Sequence, residues 1–285
     1  ITVSLAANPA GGALAGTTTV HAISGVATFT DLSIAKAGTG YSLGAASGGL
    51  PPTTSNNTFD ITVGAVSAAQ STVTAAPDTI TASSGSSAST ITVTARDAAG
   101  NPVAGASVLL AATGTATTLT QPGVTDSSGV ATGTLSSTSA QAKTVSATIN
   151  GVAITQTATV TVRPSVPSAA TSTVTASPTT IVASTGSTVS TITVTVRDEF
   201  GNRVSGQTVA LSATGTANTL TQPVATTNTN GVATGSISST KAEPKGTSAT
   251  VHAGFTITQT ATVTVNPSTL FQLAFRVHPA NTSGG

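Results

Sequence analysis

The chain has 285 residues, a formal net charge of +1 and only 6% charged residues, and it is rich in Ser, Thr, Ala, Val and Gly. This length suggests two or three modules, and 38% hydrophobic residues at so low a net charge argue against disorder. The absence of cysteine excludes disulfides, thiolate metal sites and thiol nucleophiles. The low net charge provides no basic stripe for nucleic acid.

Residues 1–66 have the pattern of a β module. The chain runs from Gly25-Val-Ala-Thr-Phe29 through Tyr41-Ser-Leu43 to a closing strand at Phe59-Asp-Ile-Thr-Val63. No residues ahead of Ile1 supply opening strands, so we expect this first module to be incomplete.

One motif in the first module fits a catalytic signature. Gly40-Tyr41-Ser42-Leu43-Gly44 matches G-x-S-x-G, in which a strand, a sharp turn and a helix expose the serine. No helical pattern follows here. Alternation instead predicts a strand with Tyr41 and Leu43 pointing inward and Ser42 facing solvent.

Residues 67–163 and 168–266 are two copies of one module, called repeat 1 and repeat 2 below. Ser71-Thr-Val-Thr-Ala-Ala-Pro77 recurs as Ser172-Thr-Val-Thr-Ala-Ser-Pro178, and Thr155-Gln-Thr-Ala-Thr-Val-Thr-Val162 recurs as Thr258-Gln-Thr-Ala-Thr-Val-Thr-Val265. Repetition of this kind indicates a tandem array of one structural unit.

Alternating apolar residues and turn residues predict strands throughout each repeat. In repeat 1, Ile91, Val93 and Ala95 alternate with Thr. A turn at residues 97–101 then leads to Val103 and to the run at 108–111, which we interpret as a hairpin. Strands are also predicted at 130–135, at 145–149 before the turn Asn150-Gly151, and at 154–162.

About seven short strands in a module of this size are typical of a β-sandwich. The predicted fold class is therefore all-β, with tandem immunoglobulin-like β-sandwiches in an elongated array. Short Pro-containing linkers at 163–167 and 266–268 favour that elongated arrangement.

The repeats resemble the bacterial immunoglobulin-like group 1 (Big-1) domains of intimin- and invasin-type adhesins. The resemblance rests on the opening Ser-Thr-Val-Thr-Ala, the segment Thr92-Val-Thr-Ala-Arg-Asp-Ala-Ala-Gly-Asn-Pro-Val103, the Gly-Val-Ala-Thr step and the closing Thr-Ala-Thr-Val-Thr-Val. Arg203 replaces the Pro in repeat 2. The resemblance implies an extracellular, surface-exposed stalk that supports a binding domain elsewhere, which would engage a host or neighbouring cell.

Residues 267–285 are predicted to form the opening strand of a further module. The residues of interest there are Leu270, Phe271, Leu273, Phe275 and Val277. Truncation from a longer array explains both chain ends. Alternatively, this strand completes residues 1–66 of a second copy, which would build a fibre by head-to-tail strand complementation.

The turns of the two repeats are the other candidate sites. They consist of Asp97, Gly100 and Asn101 in repeat 1 and of Asp198, Gly201 and Asn202 in repeat 2. Carboxylates of this kind could bind calcium, but Asp followed by Gly is typical of a turn that the Asp side chain stabilises. Arg96 and Arg197 are expected to cover the sandwich edge or to brace these turns.

The remaining ionisable residues suggest no reactive site. His21, His252 and His278 lie in three different modules, so we expect surface imidazoles. Lys143 and Lys245 lie at strand starts, where solvated ammonium groups are expected and a Lys–Asn crosslink is not. The sequence therefore predicts no catalytic, cofactor-binding or metal-binding residues.

We interpret the chain as a structural stalk of a bacterial surface or secreted adhesin and not as an enzyme. It contains no apolar run long enough to span a membrane. A carbohydrate-binding module is a further alternative, but Tyr41 is the only Tyr and Trp is absent, whereas sugars usually stack on exposed aromatic rings.

Overall fold

The computed structural model describes residues 1–252 and 254–269. Every regular element in these residues is a β-strand, as the abundance of Thr and Val predicts, because β-branched side chains fit a pleated sheet. No helix in this part of the chain is long and apolar enough to cross a membrane. The predicted all-β fold class is confirmed.

The first module contains six short strands. They are β1 (Thr2–Ala7), β2 (Leu14–Ala15), β3 (Ser33–Ile34), β4 (Gly38–Ser47), β5 (Leu50–Thr54) and β6 (Phe59–Ile61). Strand β4 pairs with β1 along one edge and with both β5 and β6 along the other, while β2 pairs only with β3. Tyr41 is fully buried, as alternation predicts, and stacks on Phe59 with ring centroids 6.1 Å apart. It is therefore not available to stack on a sugar.

The prediction that Ser42 faces solvent is wrong. Ser42 is only 9% exposed, and its Oγ accepts a hydrogen bond of 3.0 Å from the Ala7 backbone N–H. The register of β1 against β4 shifts between Leu5 and Ala7, and the Ser42 hydroxyl bonds the backbone at this irregularity. Residues 40–44 therefore lie within strand β4 and form no nucleophile elbow.

Repeat 1 is a sandwich of two sheets. Its strands are β7 (Thr72–Ala76), β8 (Thr79–Thr81), β9 (Ser89–Thr94), β10 (Val108–Ala112), β11 (Thr117–Thr120), β12 (Val130–Ser137), β13 (Ala142–Ile149), β14 (Val152–Ala153) and β15 (Ala158–Arg163). One sheet has the order β7-β9-β12-β11 and the other β10-β13-β15-β8, with β14 added to β13. The last strand begins four residues later than the predicted 154–162, because Ile154 belongs to the connection after β14.

Side chains alternate across the sheets of repeat 1. Ile91 and Val93 of β9 point into the sandwich and are fully buried, together with Val145 and Val160 from the opposite sheet. Outward positions carry Thr: Thr74, Thr92 and Thr132 lie side by side across β7, β9 and β12. The sandwich thus has an aliphatic interior and a hydroxyl-bearing outer face.

Repeat 2 has the same topology as repeat 1. Its strands are β16 (Thr173–Ser177), β17 (Thr180–Val182), β18 (Ser190–Thr195), β19 (Val209–Ala213), β20 (Asn218–Thr221), β21 (Val232–Ser239), β22 (Pro244–Val251), β23 (Phe255–Thr256) and β24 (Ala261–Asn266). The sheet orders are β16-β18-β21-β20 and β17-β24-β22-β19, with β23 added to β22. The repeated sequence therefore folds into a repeated structure.

The predicted hairpin between residues 91–95 and 108–111 is wrong. Strand β9 pairs with β7 and β12, whereas β10 lies in the other sheet and pairs with β13. The turn at 97–101 closes only a short bridge between Arg96 and Pro102. Both edges of β9 are already occupied, so the chain crosses to the opposite sheet after this turn.

Candidate functional site

The turn at residues 97–101 is closed by the side chain of Asp97. Its Oδ1 accepts hydrogen bonds from the backbone N–H groups of Ala99 at 2.9 Å and Asn101 at 2.8 Å. Gly100 has a φ of 85° and donates its N–H to the Asp97 carbonyl. This is the local arrangement that Asp and Gly favour in turns.

The second carboxylate oxygen of Asp97 contacts the preceding module. Its Oδ2 accepts the N–H of Gly64 at 2.9 Å and the side-chain N–H of Asn101 at 2.9 Å. Asp97 is only 4% exposed. Burial opposes ionisation, but the hydrogen bonds from the Asn101 side chain and from the backbones of Gly64, Asn101 and Ala99 hold the pKa of Asp97 below its ordinary value.

Asn101 binds two backbone groups of the first module. Its Nδ2 donates to the Ala35 carbonyl at 2.9 Å, and its Oδ1 accepts the Ala37 N–H at 3.0 Å. A carboxamide that both donates and accepts in this way satisfies two backbone groups of one segment. Because residues Ile1–Arg163 form one compact unit, Asp97 and Asn101 together join the first module to repeat 1.

The corresponding turn in repeat 2 has the same internal bonds. Asp198 is fully buried, and its Oδ1 accepts the N–H groups of Phe200 and Asn202 at 3.0 and 2.8 Å. Its Oδ2 accepts the Ser165 N–H at 2.9 Å and the Asn202 side chain at 2.7 Å. Ser165 follows β15, the last strand of repeat 1, as Gly64 follows β6, the last strand of the first module. The carboxylate thus holds the incoming linker in both repeats.

Arg96 and Arg197 each stabilise the turn that follows them, which is one of the two roles predicted for them. Arg96 Nη1 donates to the Gly100 carbonyl at 2.8 Å, and Arg197 Nη1 donates to the Gly201 carbonyl at 2.7 Å. Ser71 is a partner that sequence analysis missed. It is 1% exposed, its Oγ accepts the Arg96 N–H at 3.1 Å, and Ser172 accepts the Arg197 N–H at 3.0 Å.

The donor set around these aspartates does not suit a calcium ion. Each Asp97 oxygen already accepts two N–H donors, and N–H groups point toward the positions that a cation would occupy. Within residues 1–252 and 254–269, no group of three or more His, Cys, Asp or Glu side chains could hold a metal ion. The arrangement instead binds backbone.

The expectation that Lys143 and Lys245 are solvated is wrong. Both side chains are fully buried. Lys143 Nζ donates to the Thr115 carbonyl at 2.5 Å, and the Gln141 amide, oriented with its oxygen toward the lysine, accepts from it at 2.6 Å. Burial lowers the pKa of Lys143. Alternate residues of a strand point to the same side, so Lys143 points inward with Val145 although it lies near the start of β13.

In repeat 2 a carboxylate takes the place of the amide. Lys245 Nζ donates to the Thr216 carbonyl at 2.6 Å and to Glu243 Oε1 at 2.5 Å, and Lys241 pairs with the other Glu243 oxygen at 3.0 Å. The hydrogen bond from Lys245, then those from the Thr216 backbone and Lys241, lower the pKa of Glu243 to about 2. Each lysine therefore holds a loop by one of its backbone carbonyls, at Thr115 in repeat 1 and at Thr216 in repeat 2.

The histidines and the predicted strand-exchange residues were also singled out in the sequence. His21 and His252 are exposed, and His278 lies outside the described residues. So do the predicted strand-exchange residues Leu270, Phe271, Leu273, Phe275 and Val277.

Comparison with known families identifies the repeats. Residues 67–165 match the family described as invasin, domain 3, and residues 171–266 match the bacterial Ig-like domain of group 1. The two repeats are bacterial Ig-like domains of the invasin and intimin type. The resemblance deduced from the motifs is confirmed, and these domain families are adhesin modules and not enzyme families.

Solved structures of these Ig-like domains share the fold. InvD of Yersinia pseudotuberculosis is 28% identical, with a TM-score of 0.53 over 72% of this chain and 60% of that one. Invasin, described as a bacterial integrin-binding protein, is 24% identical, with a TM-score of 0.57 over 83% of this chain and 47% of that one. The Escherichia coli adhesin FdeC is 22% identical, with a TM-score of 0.50 over 93% of this chain and 85% of that one. The chain thus spans 60% of InvD and less than half of invasin, and no curated protein matches it.

Proposed function

We propose that this chain is a structural stalk of a bacterial cell-surface adhesin, in which Ig-like modules space and support a binding domain elsewhere in the protein. The family of the two repeats supports this proposal, since invasin and FdeC, which share the fold, are described as an integrin-binding protein and an adhesin. The proposal places the chain outside the cell and assigns contact with a host or neighbouring cell to domains other than these.

The observation that carries the proposal is the joint between the first module and repeat 1. Asn101 and Asp97 make three hydrogen bonds to backbone groups of Ala35, Ala37 and Gly64. Both side chains are only 4% exposed, so water competes weakly for these bonds. A joint held at three backbone points resists bending, which is the property that a spacer needs.

Spin-label distance measurements on the full chain test this joint. The chain contains no native cysteine, so labels at Thr53→Cys in the first module and Thr134→Cys in repeat 1 report one distance. Both positions are exposed. We expect a narrow distance distribution that broadens when Asn101→Ala is added.

Asn228→Ala is the matched control. Asn228 also bonds backbone groups of its own turn, at Asn230 and Val232, but it lies in repeat 2. It should leave the labelled distance unchanged. A broad distribution in the unmodified chain, or no effect of Asn101→Ala, contradicts the proposed joint.

The assignment of ligand binding to other domains has its own test. A stalk that only spaces a binding domain does not bind cells, so fluorescently labelled chain should show no saturable binding to cultured epithelial cells. Saturable binding that unlabelled chain displaces would replace the spacer function with direct adhesion.

Self-assembly into a fibre is a second candidate, which a groove in the first module favours. The groove has a volume of about 200 Å³ and is lined mainly by the apolar side chains of Leu14, Leu32, Ile34, Leu43, Phe59 and Ile61. The sequence of residues 270–277 alternates, and if it forms the predicted strand, Phe271, Leu273, Phe275 and Val277 would share one face. Such a segment could add as a strand to the first module of a second copy.

Light scattering separates the two candidates. A fibre subunit should form polymers that grow with concentration and disappear on deletion of residues 269–285. Leu273→Asp should abolish them, whereas Gln272→Asp, on the opposite face of the predicted strand, should not. A monomer at every concentration rules the fibre out and leaves the spacer unaffected.

A further inference from the structure

The second and the last strands of each repeat are parallel neighbours. In repeat 1, Thr79, Ile80 and Thr81 of β8 lie opposite Thr161, Val162 and Arg163 of β15. In repeat 2, β17 and β24 pair in the same way. The remaining strand pairs in the described residues of both repeats are antiparallel. We call β8 with β15, and β17 with β24, the terminal ladders.

Backbone hydrogen bonds close both ends of each terminal ladder. In repeat 1, the Thr161 N–H donates to the Asp78 carbonyl at 2.7 Å and the Ala82 N–H donates to the Arg163 carbonyl at 2.8 Å. In repeat 2, Thr264 and Ala183 make the equivalent bonds to Thr179 and Asn266, both at 2.8 Å. The ladder is therefore reproduced bond for bond in the two copies.

The direction of these strands determines how tension would act on a repeat. In repeat 1 the chain passes from β7, which is paired with β9, into the amino end of β8, and it leaves at the carboxyl end of β15. Because the strands are parallel, pulling on the two ends slides one strand past the other along the ladder. The hydrogen bonds between parallel strands are evenly spaced, so they share the load and must break together. Antiparallel terminal strands would instead be peeled apart one bond at a time.

Packing adds to this resistance. Ile80 and Val162 face each other in the ladder and are only 4% and 3% exposed, so sliding would draw both from the core into water. The preceding strand β7 is paired over five residues with β9 in the opposite sheet. The amino-terminal part of each repeat is thus anchored in both sheets.

We propose that the terminal ladders allow each repeat to bear tensile load, so that the stalk transmits force between its ends without unfolding. This inference rests on the proposed stalk function and goes beyond spacing, because a spacer needs stiffness whereas a tether needs resistance to extension. The residues that carry it are the backbone partners of β8 with β15 and of β17 with β24, with Ile80 and Val162 in the core behind the first ladder.

Single-molecule force spectroscopy with two attachment geometries tests the proposal on the full chain. Cysteines at Asp78→Cys and Arg163→Cys load the first ladder along its strands. Cysteines at Ser84→Cys and Arg163→Cys load it from one end, so that the strands open pair by pair. All three positions are exposed, and urea unfolding of both proteins checks that their stabilities match.

We expect the force needed to open repeat 1 to be several-fold higher for the 78/163 pair than for the 84/163 pair. Equal forces at matched stability overturn the load-bearing role. That result leaves the spacer function intact, because the spin-label distance across the joint tests spacing separately. A flexible joint would remove the spacer function while the difference between the two pulling geometries could still be measured.

Discussion

Lys245 and Glu243 meet at 2.5 Å in repeat 2, whereas Lys143, at the same place in repeat 1, faces the neutral amide of Gln141. Both lysines are fully buried and both donate to the carbonyl of a crossing loop, at Thr115 or Thr216. The two repeats therefore hold the same buried ammonium group with and without a carboxylate partner. This difference should make their stabilities depend on pH in different ranges.

Repeat 1 should become more stable as the pH rises toward 10.5, the ordinary pKa of a lysine. Burial lowers the pKa of Lys143 from its ordinary value of 10.5, so the unfolded chain binds more protons between the two values and stability increases with pH there. Hydrogen exchange of β13 amides, corrected for intrinsic rates, should slow across this range. Lys143→Met should abolish the change, and Gln141→Glu should reduce it by giving the ammonium a carboxylate. If the Lys143→Met variant keeps the same pH dependence, the change in stability comes from a group other than Lys143.

Repeat 2 should lose stability in acid. The pKa of Glu243 lies at about 2, below its ordinary value of 4.5. Its contribution is therefore present above pH 4.5 and is lost as the pH falls toward 2. Carbon NMR of the Glu243 carboxyl should give a midpoint near pH 2. Lys245→Met should move this midpoint upward, since the Lys245 hydrogen bond is the largest cause of the lowered pKa. A midpoint near 4.5 in the unmodified chain would contradict the ion pair.

Asp97→Ala should destabilise the unit that contains the first module and repeat 1. The change leaves the N–H groups of Gly64, Ala99 and Asn101 without their acceptor. Asn101 is buried, and one unsatisfied buried donor costs about 1–3 kcal/mol. The free energy of unfolding in urea measures this loss. Asp126→Ala is the control, because Asp126 accepts two backbone N–H groups in an exposed turn. If both variants lose the same free energy of unfolding, the hydrogen bond between Asp97 and the Gly64 N–H does not add to stability.

Gly133→Ala should destabilise repeat 1 by about 1–3 kcal/mol, the usual range for overpacking. A Cβ at this position would lie 2.3 Å from the Thr120 carbonyl oxygen and 2.9 Å from Leu110 Cδ1, and Gly235 has the same surroundings in repeat 2. Gly123→Ala is the matched control because no atom lies within 4 Å of its added Cβ. Thermal unfolding of the two variants should therefore differ, and a near-neutral Gly133→Ala would show that β11 can move away.

The local features of the repeats could be predicted from the sequence. Alternation placed Ile91 and Val93 inside, and the turn residues marked the ends of strands, because both signals depend on neighbouring residues. The hairpin between β9 and β10 was predicted wrongly because the pairing of β9 with β12 and of β10 with β13 is non-local. The sequence between them contains no sign that the chain changes sheets.

The candidate site was predicted only in part. Asp97, Gly100 and Asn101 could be recognised as turn residues, but their partners Ala35, Ala37 and Gly64 lie far away in the sequence and bind through backbone groups, which leave no trace in residue type. The buried lysines did leave a signal. Lys143 shares its parity with Val145, Ala147 and Ile149, all of which point inward, and parity outweighs position at a strand start.

The threonines that line the outer face of β7, β9 and β12 also determine how the repeats interact with their medium. Salt screens charged surfaces, but a hydroxyl group has no charge to screen and does not titrate at the pH values that bacteria encounter. We therefore expect the hydration of this face to be the same in fresh water, in blood and in sea water. The contribution of this face to solubility should therefore not depend on salt concentration.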